Sequence, residues 1–144
     1  MATLPKLGPS VLDAQLLYIK DNAERVLLVK DFLRADTYAT MVATKILAEL
    51  DVTTGHAIWG SISNITSGNG ADANAPNRQM AINSVVLDTA TAGYTGTEMA
   101  LVFVDDTGTE ILASTDETSD REVVISDVIT TFAWYIQASQ ATLV

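Results

Sequence analysis

The sequence predicts an α+β chain that is mainly β, with an N-terminal helical segment followed by an antiparallel β-sandwich. Apolar residues recur at helical spacing only near the start, and short apolar runs separated by turn residues fill the rest. No helical pattern lies between those runs, so the strands are expected to pair antiparallel. With 144 residues the chain is expected to be one folding unit. A chain of this size buries roughly 70% of its unfolded surface and needs no covalent staple. Residues 1–50 are expected to form a helical arm and docking segment, and residues 51–144 the sandwich body.

The first helix is expected within "GPSVLDAQLLYIKDNAERV". Pro9 and Ser10 precede Val11, and Asp13 lies three residues after Ser10 as in a capping box. Leu12, Gln15, Leu16, Ile19 and Ala23 recur as one apolar stripe. Residues 26–29 are aliphatic and read as a strand. A second helix is expected within "DFLRADTYATMVATKILAEL" (31–50), with Asp36 as cap and Tyr38, Met41, Val42, Lys45 and Ile46 at helical spacing.

After Leu50 strands and turns take over. "LDVTTGHAIWG" predicts a strand, a bend at Thr54 and Gly55, and a second strand. "ITSGNGADANAPNRQ" (65–79) is a long loop punctuated by Gly68, Gly70 and Pro76. "MAINSVVLDTA" (80–90) is a strand and "TAGYTG" (91–96) a turn. "TEMALVFV" (97–104) and "TEILAST" (109–115) are strands, "DETSD" (116–120) a bend, and "REVVISD" (121–127) a strand. In the final strand (128–139), Val128, Thr130, Phe132, Trp134, Ile136 and Ala138 share one face, with Thr131, Tyr135 and Gln137 on the other.

Charge and composition exclude several function classes. Eighteen acids against eight bases give −10, which opposes nucleic acid and anionic membrane surfaces, both read by Lys and Arg. Six of the eight bases lie in residues 1–45, leaving that part at +1 and residues 46–144 at −11. Such a like-sign coat keeps copies from sticking. The absence of cysteine removes disulfides, thiolate metal sites and cysteine nucleophiles together. No apolar run approaches ~18 residues, and "MATLPKLGPS" lacks the charged-then-apolar pattern of an export signal.

The candidate chemical sites reduce to structure. "DDTGTE" (105–110) places Asp105, Asp106 and Glu110 around Gly108 between two strands, which is hairpin chemistry, with Gly108 expected at positive φ. A calcium loop would need about five oxygen ligands over twelve residues. His56 is the only histidine and has no nucleophile motif beside it, so it is expected to be a structural or surface residue and no zinc set is available. Asp88, Asp105 and Asp116 could act in glycoside hydrolysis only by converging, and each lies at a predicted strand end. "GNGADA" (68–73) lacks the strand-then-helix context of a phosphate loop. Asn64-Ile65-Thr66 matches a glycosylation acceptor without an export signal to support it. Trp59, Trp134 and Tyr135 are expected in the core rather than on a sugar platform. No catalytic, cofactor or metal residue emerges.

Five stretches carry a family resemblance. They are "LLYIKDNAERVLLV" (16–29), "TYATMVATKIL" (37–47), "SGNGADANAPNRQMAINSVVL" (67–87), "GTEMALVFVDDTGTEILAST" (96–115) and "VITTFAWYIQAS" (128–139). In order and spacing they resemble a group of small tailed-bacteriophage virion proteins, in which a leading helical stretch precedes a Gly-rich loop and a terminal block of strands. The chain departs from that pattern where charged "KDFLRAD" replaces a tight Pro turn, and where it stops soon after the last strand.

The resemblance implies a structural, non-enzymatic part of the virion, assembled in the host bacterial cytoplasm. It would be a capsid decoration or cement protein that binds and stabilises the head shell, with a tail or baseplate part as the alternative. The implied partners are the major capsid protein or another virion protein, and further copies of the chain in a homo-oligomer. Nucleic acid, membrane and cofactors are not among them. The partner contacts expected are Leu4, Leu7, Leu12 and Leu16 on the arm, and Asn69, Asn74 and Arg78 on the loop.

Overall fold

A computed structural model of the chain describes residues 6–117 and 122–140. The elements are α1 (Pro9–Asn22), β1 (Arg25–Lys30), α2 (Tyr38–Thr44), β2 (Ile46–Asp51), β3 (Trp59–Asn64), β4 (Arg78–Ile82), β5 (Met99–Asp105), β6 (Glu110–Glu117) and β7 (Trp134–Ala138). All pairings between these strands are antiparallel, giving a four-stranded sheet β2-β1-β5-β6 and a three-stranded sheet β3-β4-β7. The mainly β, α+β class is therefore the one the sequence predicts.

The two central strands explain why "RVLLVK" and "MALVFVD" are continuous apolar runs instead of alternating ones. Both are buried on two faces. Val26, Leu28, Met99, Leu101 and Phe103 face the three-stranded sheet and α1, where they meet Leu12, Leu16, Trp59, Met80 and Ile82. On the opposite face, Leu27, Val29, Ala100, Val102 and Val104 pack with Met41 of α2. The alternation of "WYIQA" reflects a sheet with one face toward solvent, since Tyr135 is exposed while Trp134 and Ile136 pack on the core.

Both helices start one or two residues from their expected caps. Gly8 caps α1 with Pro9 in the first turn, where the missing N–H costs nothing. Asp13 is thereby released from any capping box and pairs with Arg78. In α2 the Thr37 hydroxyl, not Asp36, accepts the Thr40 N–H. Asp36 accepts the Leu33 N–H and the Lys45 ammonium instead.

The second helix is much shorter than the sequence pattern suggests. It ends at Thr44, and residues 46–51 form β2, which pairs with β1 from Arg25↔Asp51 to Val29↔Ile46. Burial of Leu47 and Ala48 against β1 outweighs the weak helical preference of "KILAEL". The first 50 residues thus supply half of the four-stranded sheet, and residue 50 does not separate an arm from a body.

Two expected strands become irregular. The 84–94 and 123–131 segments run side by side through the bridges Val86↔Thr130 and Tyr94↔Val123. Bonds from Leu87 N to Ile129 O and from Ala90 N to Asp127 O add to these. The same segment donates from Asp88 and Thr91 to Glu49 and Leu47, covering the outer edge of β2 against edge-to-edge pairing. Serving two neighbours at once breaks its pleat. The face assignment of the last stretch is accordingly half correct. Phe132, Trp134, Ile136 and Ala138 do turn inward, but Val128 and Thr130 are exposed while Ile129 and Thr131 are buried. The phase slips after Thr131, whose hydroxyl is held by Val85.

Candidate functional site

Each carboxylate of the hairpin has a partner within the chain, one in the turn itself and two on neighbouring elements. Asp105 Oδ1 accepts the Gly108 N–H at 2.9 Å. Asp106 takes a fork from Arg25, Nε to Oδ2 at 2.7 Å and the second guanidinium N–H to Oδ1 at 2.8 Å. Tyr38 donates its hydroxyl to the same Asp106 carboxylate at 2.6 Å. Glu110 accepts the Tyr18 hydroxyl at 3.2 Å. The Arg25 fork, ahead of the Tyr38 bond, holds the Asp106 carboxyl below its ordinary range, and partial burial opposes it. The residue at positive φ is Thr109, at 53°, rather than Gly108. Glycine is favoured at 108 for a different reason, because a Cβ there would stand 2.6 Å from Asp105 Oδ2 and the carboxylate that caps the turn would have to move.

The other carboxylates do not converge. Asp105 and Asp116 lie toward opposite ends of the β5–β6 ladder, opposite Glu110 and Ala100 respectively. Five residues of strand separate these positions, roughly 17 Å. Asp88 sits beside β2, at the far edge of the sheet from β6. Among the described residues no three His, Asp or Glu side chains gather as metal ligands would. His56 is a turn residue whose Nδ1 accepts the Ile58 N–H. Trp59 and Trp134 flank Phe103 in the core, with centroids 4.8 and 5.9 Å from its ring, while Tyr135 is 57% exposed.

Of the residues expected at a partner surface, the structure divides those on the arm from those on the loop. Leu12 and Leu16 are 0% and 1% exposed, so the chain's own core occupies them and they are not available to a partner. The stripe that was expected to dock is the stripe that folds the protein. Leu4 lies outside the described residues. Leu7 is half-buried, and its backbone N–H and C=O both bond the Gln140 side-chain amide. Asn69 and Asn74 are exposed on the loop. Arg78 is half-buried, bidentate to Asp13 and bonded to Asn64 Oδ1. Gln140 also reaches Pro76 O and Asn77 Oδ1. Leu7, the loop's end and the last described residue are thus tied into one end of the molecule.

The exposed apolar side chains lie elsewhere. Val11, Leu17 and Tyr18 stand on the outer face of α1 at 48%, 39% and 51% exposure. A second group, Val86, Val124, Ile125 and Val128, is 53–64% exposed on the irregular segments. Beside that group an open groove of about 440 Å³ runs between residues 93–95 and 122–125. Of this group Val124 and Ile125 line the groove itself, and exposed apolar area, where it is contiguous, marks interaction surfaces more often than scattered residues do. Sequence reasoning missed it because "REVVISDVIT" reads as strand, and a regular strand would have turned half of those residues inward. No helix among the described residues is long and apolar enough to cross a membrane. No protein family, curated protein or solved structure matches the chain.

Proposed function

We propose that the chain is a structural component of a tailed-bacteriophage virion, a decoration or cement protein that binds and stabilises the head shell. The observation that carries this reading is the resemblance of the five stretches between residues 16 and 139 to small virion proteins. Two features support it. Apolar side chains are exposed in groups on α1 and at residues 86 and 124–128, and a balance of −11 over residues 46–144 discourages unspecific contact among many copies. A subunit that bridges two shell proteins binds modestly at each contact and still gains avidity, because the second contact is intramolecular. Its partners in this reading are the major capsid protein and further copies of itself.

Tyr135, exposed on the outer face of β7, favours a second reading as a tail or baseplate part that contacts the host. Quantitative mass spectrometry of purified virions separates the two. Head decoration requires a copy number on the scale of the capsid subunits, whereas a small fixed set of copies means a tail part. Absence from the virion overturns both.

A further inference from the structure

We propose that Asn69–Gly70 is a self-modification site, at which the chain converts its own Asn69 to a mixture of aspartate and isoaspartate. The Gly70 backbone nitrogen, having lost its proton to solvent base, attacks Cγ of Asn69. A C–N bond forms, the Cγ–Nδ2 bond breaks, and Nδ2 leaves as ammonia. The resulting succinimide takes up one water, which opens either ring carbonyl to give a side-chain or a main-chain carboxylate. The net reaction is amide plus water to carboxylate plus ammonium, with no oxidant and no metal.

Three conditions favour that attack: a following residue without a side chain, a nitrogen not committed to a hydrogen bond, and an exposed asparagine amide. Asn69 meets all of them. It is exposed in the loop, and neither its side chain nor the Gly70 N–H has a partner among the described residues. Gly70 cannot be exchanged without strain. It sits at φ +88°, and a Cβ there would lie 2.5 Å from Asn77 Nδ2. The fold therefore requires the residue that makes its neighbour labile.

Each of the other five asparagines is restrained. Asn83 precedes the small Ser84, yet its N–H donates to Ile58 O and its Nδ2 to Ala57 O. Asn22 Nδ2 is bonded to Tyr18 O. Asn64 Oδ1 holds Arg78 and precedes the branched Ile65. Asn77 donates its N–H to Gly70 O and holds the Gln140 N–H. Asn74, also exposed, precedes Ala75, whose N–H is engaged by Asp72 Oδ1. Conversion at Asn69 adds a negative charge beside Asp72 and, as isoaspartate, one methylene to the loop backbone. This inference is independent of the virion reading.

The test is to hold the purified full chain in warm, mildly alkaline buffer and follow each asparagine by peptide mapping. Isoaspartate is assayed separately by an isoaspartyl methyltransferase. Conversion is expected to be roughly tenfold or more faster at Asn69 than at Asn83, whose side-chain amide must first give up its bond to Ala57 O. The rate should rise with pH, Asn69→Gln should remove most of the isoaspartate, and unfolding in urea should accelerate Asn83 and narrow the gap, with Asn69 still the faster because glycine follows it. Equal rates at all asparagines in the folded chain, or an isoaspartate yield unchanged in Asn69→Gln, would overturn the proposal.

Discussion

The Arg25 guanidinium and the Asp106 carboxylate face one another in two parallel hydrogen bonds of 2.7 and 2.8 Å across the open end of the β1–β5 pairing. Arg25 also reaches Glu49 on β2, and Tyr38 of α2 bonds Asp106. One cation thus joins the edge strand, the hairpin tip and the second helix. Charge-assisted forks are stronger than neutral bonds, and removing one partner leaves the other partly desolvated. Asp106→Ala is expected to cost about 1.5–3 kcal/mol in urea unfolding. A double-mutant cycle with Arg25→Ala should return a coupling of about 1 kcal/mol or more. Additive single effects would mean that the pair is decorative.

The same pair sets an acid limit. Asp106 is held below its usual range in the fold, chiefly by Arg25, so the unfolded chain binds the proton more readily. Its stabilisation is complete above the unfolded value near pH 4 and is lost as pH falls through the lower folded value. Asp36, lowered first by the Leu33 N–H and then by Lys45, acts in the same direction. Wild-type stability should therefore decline as pH falls below about 4, and Asp106→Asn should flatten part of that decline. An unchanged slope in the variant would dissociate Asp106 from the acid transition.

Phe103 lies between the only two tryptophans, stacked on both at interplanar angles of 27° and 24°. It links the two sheets, since Trp59 is on β3 and Trp134 on β7. Phe103→Ala should cost about 3–5 kcal/mol through the cavity it leaves. Because Trp59 and Trp134 are the only tryptophans, the emission spectrum should shift even where the chain still folds.

How much of this was legible beforehand depends on how local the determining contact is. The hairpin at "DDTGTE", the aliphatic strand at residues 26–29 and the α1 stripe follow from spacing and turn chemistry, and each formed where expected. β2 did not, because "KILAEL" has no strong period of its own and takes its form from pairing with β1. Leu12 and Leu16 lie in the expected helix and on its apolar stripe, but the stripe faces the interior and not a partner. An apolar stripe looks the same in sequence whether it covers this chain's core or another's. Gln140, which ties together Leu7, Pro76 and Asn77, carries no local signal at all.

Gly60 faces Ala81 across β3 and β4 beside an irregularity in their register. A Cβ at position 60 would lie 2.7 Å from Ala81 Cβ and 2.9 Å from Ala81 O. Backbone on one side leaves little room to yield, so Gly60→Ala should destabilise by about 1–3 kcal/mol. Adding Ala81→Gly should recover only part, since the close carbonyl oxygen remains. Thermal unfolding of the single and double variants measures both.

The exposed apolar group at residues 124–128 separates stability from association. Ile125 and Val128 are both 64% exposed, so their side chains contribute little to the core. Ile125→Ser together with Val128→Ser should leave folding stability within about 0.5 kcal/mol per site. If this surface seats a virion partner, the same pair should lower occupancy on purified particles, because apolar contacts near the centre of an interface carry most of its energy. Asp88 and Asp127 border the group in sequence and on the 84–94 segment, so bound occupancy should also fall with rising salt if the partner's rim is basic. Unchanged occupancy in the Ser pair, with folding intact, would move the contact to the α1 face, where Val11→Ser with Leu17→Ser is the matching test.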